Sequence, residues 1–226
     1  TTLIEVILSS HSMVNAGGER QHLEHVCRLF DYPNKESDLS KAECVDFGEQ
    51  YIKQLRNGDT TSVRLTDKLP GNFMRMGLLF QILPNAKVIY CKRNAMDNCC
   101  SIFEQHFSGL QPFAYDLGEL AKFYTLHVEM MKHWTSLFET QFFTVHYESL
   151  VTNPESTIRA VLNYCDLPFE DSCLNHHKRQ HRIMTASAMQ ANLPIYSSSL
   201  NKHHFYGDLL LELRQQLNGQ VEKMND

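Results

Sequence analysis

Basic charge is scarce in this sequence: 21 Lys and Arg stand against 26 Asp and Glu, for a net charge of −5. General binders of nucleic acid or anionic lipid carry the opposite excess, so neither partner is expected and any anionic ligand must be held locally. Long apolar runs are missing as well. None approaches the ~18 residues that span a bilayer, and no basic stretch followed by an apolar one resembles a signal peptide. A soluble segment with no membrane span of its own is expected. The seven cysteines form an odd set without a C-x-x-C pair, and most sit inside apolar stretches. That predicts free core thiols and favours a reducing, cytoplasmic compartment. Internal repeats and low-complexity tracts are also lacking. What is present, 226 residues with 42% hydrophobic and 21% charged content, is ample for a buried core and excludes disorder and collagen.

Three short β-branched or aromatic runs have strand length and composition: 62–67, 87–92 and 142–147. Helix patterns lie around them at about 22–31, 41–57, 71–83, 94–106 and 117–138, then from Pro154 to about 165 and over 206–217. Ser40-Lys41-Ala42-Glu43 is a capping box, Gly58 a stop, and Asn153-Pro154 a cap with a first-turn proline. Strands alternating with helices predict parallel βαβ units, hence a three-layer α/β/α fold around a central parallel sheet. The stretch 167–205 has no clear period and reads as a long loop, the kind that is usually functional. Thr1-Thr2-Leu3-Ile4-Glu5-Val6-Ile7-Leu8 reads as a helix already under way, so an earlier strand is expected upstream. Residues 1–226 are read as a single, N-terminally incomplete domain.

Ligands of open parallel sheets bind at the carboxyl ends of the strands. There this chain carries Lys68 after the first run, Lys92 and Arg93 after the second, and Tyr147 and Glu148 at the end of the third. Cationic positions and an aromatic on one edge suit a nucleotide with several negative groups, and helix starts at Thr1-Thr2 and at Asn94 would add N–H donors for phosphate. Each residue also has a plain structural reading. Glu19 is a loop carboxylate after two glycines, Lys68 and Arg93 are surface charges, Tyr147 is a half-buried strand aromatic, and Ser187 and Lys202 are solvated. The twelve histidines show no carboxylate or cysteine partner at a zinc spacing, so no metal is expected.

In order along the chain, these residues resemble the sulfotransferases that use 3′-phosphoadenosine 5′-phosphosulfate (PAPS), especially the tyrosylprotein sulfotransferases and the bacterial enzymes often attached to TPR repeats. Thr1-Thr2-Leu3 is similar to the tail of the family's P-loop-like donor loop, whose earlier half would lie upstream. Gly17-Gly18-Glu19 resembles the segment presenting the catalytic glutamate, and Lys68 in Asp67-Lys68-Leu69-Pro70 the sulfuryl-stabilising lysine. Arg93 with Ser101 resembles the 3′-phosphate site, and Tyr147 in Val145-His146-Tyr147-Glu148 the adenine-side strand. Ser187, Tyr196 and Lys202 resemble the closing loop, with a second transition-state serine and a phosphate lysine.

The resemblance implies a P-loop NTPase-like fold and sulfuryl transfer from PAPS to a hydroxyl or amine acceptor, whether small molecule, glycan or protein. Glu19 would be the base, Lys68 and Ser187 the transition-state donors, and no metal is required. It also implies TPR repeats upstream, or a Golgi location for a tyrosylprotein-type enzyme. Some family arginines are absent, near Asn192 and Gln105, as is a tryptophan near His203, which implies weaker donor binding. Gln21 stands where protein-modifying members carry an arginine that positions acidic peptides. Two other readings stay open on the sequence: a P-loop kinase or NTPase using Mg·ATP with Asp67 as a metal ligand, and a catalytically silent nucleotide-binding module.

Overall fold

The computed structural model describes residues 1–29, 32, 39–107, 111–178 and 188–221, apart from the side chains of 188 and 218–221. Its strands form two parallel pairs: β1 (Val14–Ala16) with β2 (Arg64–Thr66), and β3 (Val88–Lys92) with β4 (Phe142–His146). In the second pair the register sets Ile89 beside Phe143 and Cys91 beside Val145. These four face a core built by α1 (Thr2–Ser9) and α8 (Pro154–Tyr164), through Ile4, Ile7 and Leu8 on one and Ile158, Val161 and Leu162 on the other.

The alternate residues point the other way. Tyr90 meets His127 of α6 (Leu117–Leu137) with ring centroids 5.7 Å apart, and Phe142 meets Phe80 of α4 (Met76–Ile82) at 5.8 Å. A strand exposes alternate side chains to opposite faces, and here both faces are covered by helices, which makes the three layers expected of βαβ units. Two further cores complete the helical layers. One joins α5 (Ala95–Phe103), α6 and α11 (Leu211–Val221); the other joins α2 (His22–Leu29), α3 (Lys41–Arg56) and α4.

Local signals act close to where they were read, though Asn153 heads α8 without a side-chain cap hydrogen bond and α3 is capped at Asn57, one residue before Gly58. Ser40 Oγ accepts the Glu43 N–H at 3.3 Å while Ser40 N–H donates to Glu43 at 2.9 Å, and Asn57 then takes the left-handed conformation that ends α3, with φ 45°. α8 opens on Pro154 and buries the spaced apolar residues Ile158, Val161 and Leu162 completely. The cysteines form no disulfide among themselves; burial beside Cys100 pushes the Cys99 thiol up to about 12, which leaves it inert packing.

Other details differ from the sequence expectation. β1 is three residues long and shows no alternation, because its place is set by pairing with β2. The 71–83 pattern opens as a 3₁₀ turn over Pro70–Arg75 before α4. The last helix is preceded by a 3₁₀ segment, Lys202–Leu210, that kinks at Gly207 with φ 48°. Short helical turns at Asp171–Leu174 (α9) and Ala188–Ala191 (α10) interrupt the stretch read as loop. After β4 the chain turns directly into α7 (Tyr147–Thr152).

β2 and β3 do not pair with each other. Both line, along their full length, one cavity of about 2110 Å³ with Thr1 and Thr2 on its wall. That exceeds the ~300–1,000 Å³ of an ordinary ligand pocket, and residues from both strand pairs line it.

Candidate active site

The first half of the site hangs from the ends of β1 and β2. Pairing continues past both strands: Gly17 N–H donates to the Thr66 carbonyl at 2.8 Å, and Lys68 N–H to the Gly18 carbonyl at 3.0 Å. A Cβ on Gly17 would stand 2.3 Å from that Thr66 oxygen, so only glycine lets the chains come this close; Gly18 has φ +70°, the left-handed region. The two extra bonds set Glu19 and Lys68 side by side, and their carboxylate and ammonium form an ion pair. Lys68 is buried while Glu19 keeps 37% of its side chain exposed, so the acid is the partner a substrate reaches first.

Two neighbours that sequence reasoning missed complete this end. Tyr51 of α3 donates its hydroxyl to Asp67, which also accepts from Asn72 Nδ2 at 3.2 Å. Burial raises both Tyr51 and Asp67 above their usual ranges. Glu5 of α1, 8% exposed, accepts the Gly18 N–H at 3.0 Å and the Thr66 hydroxyl at 3.1 Å, tying α1 to the ends of both strands. No sequence signal marked it, since an acid in a first turn reads as ordinary.

Burial pushes the Glu5 carboxyl above the usual range, and the Lys68 charge and the two hydrogen bonds only partly offset it. A carboxyl raised in the folded state ionises later there than in the unfolded chain, so stability falls as pH climbs from the ordinary glutamate range through the raised value and stays lower above it. Glu5→Gln keeps an acceptor oxygen without that ionisation. The variant is expected to melt higher than the parent at pH 7, with the gain shrinking on acidification. Melting curves across pH check this; a loss of stability at pH 7 would show that attraction to Lys68 outweighs burial.

The second half gathers where β3 and β4 end. Their register pairs Lys92 with His146, which puts the next residues, Arg93 and Tyr147, together, the guanidinium 4.9 Å from the ring centroid. Ser199 joins both: its carbonyl accepts from Arg93 Nη2 at 2.7 Å and its hydroxyl shares a 2.6 Å hydrogen bond with Tyr147. Arg93 Nε is buried with no partner among the described residues. Asn94 N–H, at the start of α5, is taken by Glu148 at 2.8 Å rather than left open for phosphate.

Ser101 lies exposed two turns into α5. The Lys202 ammonium pairs with Glu104. Tyr196 is half-buried, and burial together with Tyr147 raises its hydroxyl above the usual range against the pull of Arg93 and Lys202. Thr1, Thr2, Glu19, Lys68, Arg93, Ser101, Tyr147, Tyr196 and Lys202 all line the one cavity. Ser187 lies outside the described residues. His11 is buried: its ring meets the Pro168 carbonyl at 2.9 Å and accepts the Met13 N–H at 3.1 Å. Among the described residues no helix is long and apolar enough to cross a membrane, and no three His, Cys, Asp or Glu side chains cluster to hold a metal ion.

The chain is 34% identical to an uncharacterized protein of Aquifex aeolicus (strain VF5), an alignment that takes in 100% of this chain and 32% of that protein. It is 23% identical to protein-tyrosine sulfotransferase A of Caenorhabditis elegans over 79% of this chain and 50% of that one, and 22% identical to the protein-tyrosine sulfotransferase of Drosophila melanogaster over 79% and 38%. The chain thus spans about a third to a half of these relatives. In fold it is similar to the sulfotransferase domain from the curacin biosynthetic pathway, with a TM-score of 0.57, 18% identity, and 96% and 92% of the two chains covered. The family model described as the sulfotransferase family matches residues 1–171, most of the sequence, and the chain belongs to that family.

Proposed function

We propose that this chain carries the reacting core of an enzyme that moves a sulfuryl group from PAPS to a hydroxyl or amine acceptor, with Glu19 and Lys68 at the point of transfer. The observation that carries the reading is the pairing of Glu19 with Lys68 on the wall of the cavity that also holds Arg93, Ser101, Tyr147, Tyr196 and Lys202. A base and a cation for the sulfuryl oxygens meet at one end, and a second set of donors stands ready for another anionic group. The buried, unpartnered Arg93 Nε fits an anion that brings an acceptor oxygen.

Glu19 takes the acceptor's proton as the acceptor oxygen or nitrogen forms its bond to sulfur. The bond from sulfur to the bridging oxygen of the 5′-phosphate breaks, and that oxygen keeps the electron pair. Lys68 turns from Glu19 to the sulfuryl oxygens, which frees the carboxylate as charge builds on the leaving group; a preorganised donor of this kind is worth ~2.7–4 kcal/mol. Ser187 is assigned the second such donor. Thr1 and Thr2 at the start of α1 offer N–H groups to the 5′ end. Arg93, Ser101 and Lys202 hold the 3′-phosphate, and Tyr147 and Tyr196 flank the nucleoside, so these five supply binding rather than chemistry.

The test is thermal stabilisation of the full-length protein by adenosine 3′,5′-bisphosphate and, separately, by Mg·ATP. A ligand at ~100-fold over its Kd adds ~2.7 kcal/mol, or about 5–10 °C for a domain of this size. The expected result is a shift with the bisphosphate that is lost in Arg93→Ala. A shift with Mg·ATP alone would move the assignment to phosphoryl transfer, and none with either would leave a silent module.

A further inference from the structure

The segment that carries Lys202 is held to α5 by two carboxylates that do different work. Asp97 is buried at 2% exposure and spends both oxygens on the backbone of that segment: Oδ2 accepts from Asn201 N–H at 2.7 Å, and Oδ1 from His203 N–H at 3.0 Å and from the His203 ring at 2.7 Å. Asn201 is left-handed there, with φ 56°. The course of the chain through Lys202 is therefore anchored without any help from the lysine side chain.

The other carboxylate is Glu104, which caps the C-terminal end of α5 with 27% of its side chain exposed. It takes the Lys202 ammonium on one oxygen, and on the other the Tyr206 hydroxyl and, at 3.5 Å, the Cys100 thiol. Glu104 lies three positions after Ser101, so the two share a face of the helix, and both line the cavity with Arg93 and Lys202. A carboxylate thus already holds the ammonium that would otherwise be open to an anion.

We propose that Glu104 is a built-in counter-ion for the anion subsite formed by Arg93, Ser101 and Lys202, holding Lys202 until a ligand phosphate displaces it and thereby setting nucleotide affinity. This rests on the donor reading above and names the residue that tunes it. An ion pair at a partly exposed site contributes little to folding, and Asp97 already fixes the backbone. The pair's consequence falls on the ligand, which must win Lys202 away from a neighbour that Tyr206 holds in position.

The test compares adenosine 3′,5′-bisphosphate with adenosine 5′-phosphate, by calorimetry, on the full-length protein, Glu104→Gln, Lys202→Met and the double variant. Glu104→Gln removes the charge and leaves an oxygen for Tyr206. It is expected to bind the bisphosphate roughly two- to fivefold tighter, with 5′-phosphate affinity unchanged and the gain absent when Lys202 is Met. Unchanged or weaker bisphosphate binding in Glu104→Gln would overturn the proposal, as would a gain that survives Lys202→Met, which would be a general charge effect. If the parent prefers the bisphosphate and Glu104→Gln prefers it equally, the counter-ion role alone falls. If neither protein distinguishes the two nucleotides, the donor reading falls and takes this role with it.

Discussion

Glu19→Ala is expected to lower turnover by about 10²–10⁴-fold, the usual contribution of a well-placed general base, while adenosine 3′,5′-bisphosphate binds the variant about as well as the parent. The separation follows from the geometry. Glu19 sits at the ends of β1 and β2, whereas Arg93, Ser101 and Lys202 stand with β3 and α5. Removing the acid also strands the Lys68 ammonium, which is only 8% exposed, and an uncompensated buried charge is costly. Glu19→Gln is therefore the companion variant, since its amide oxygen still accepts from Lys68. If turnover of Glu19→Ala matches the parent while the Gln form is equally active, the base lies elsewhere. Turnover rescued by Gln alone would mean that Glu19 orients Lys68 instead of taking a proton.

Gly17→Ala is expected to destabilise the protein and abolish most activity together, because one methyl group attacks the join on which Glu19 and Lys68, the residues proposed to react, both hang. Its Cβ would lie 2.3 Å from the Thr66 carbonyl oxygen and 2.4 Å from Leu55 Cδ1. The leucine can move, but the carbonyl belongs to the backbone paired with Gly17 itself. Overpacking of this kind costs ~1–3 kcal/mol, and at about 2–4 °C per kcal/mol the melting temperature should fall by several degrees. Gly18→Ala is the control. Its φ of +70° strains any other residue, yet nothing lies within 4 Å of the added carbon, so it should be milder on both counts. Melting curves and turnover for the two variants decide; a Gly17→Ala protein as stable and active as Gly18→Ala would show that the close approach of these chains is not needed.

The two halves of the site were unequally legible. Lys68, Arg93 and Tyr147 could be picked out because residues that follow parallel strands converge on one edge whatever the details of packing. Glu19 needed its glycines and a family resemblance, since β1 is too short to announce itself. Glu5, Asp97, Glu104 and Ser199 had no signal. Each acts through a partner 13 to 106 residues away, and such pairs have no period.

Local interactions within a few residues were written in the chain itself. The Ser40–Glu43 box, the stop beside Gly58, the Pro154 start and the β-branched and aromatic run of β3 each depend on backbone geometry and local composition, so residue order settles them. Which strand lies beside which, that Glu19 is bound by Lys68, and that Lys202 is already occupied by Glu104 depend on packing between distant segments. That packing is governed by the shape of buried surfaces and by the need to pair buried charge, and it exists only once the chain has closed on itself.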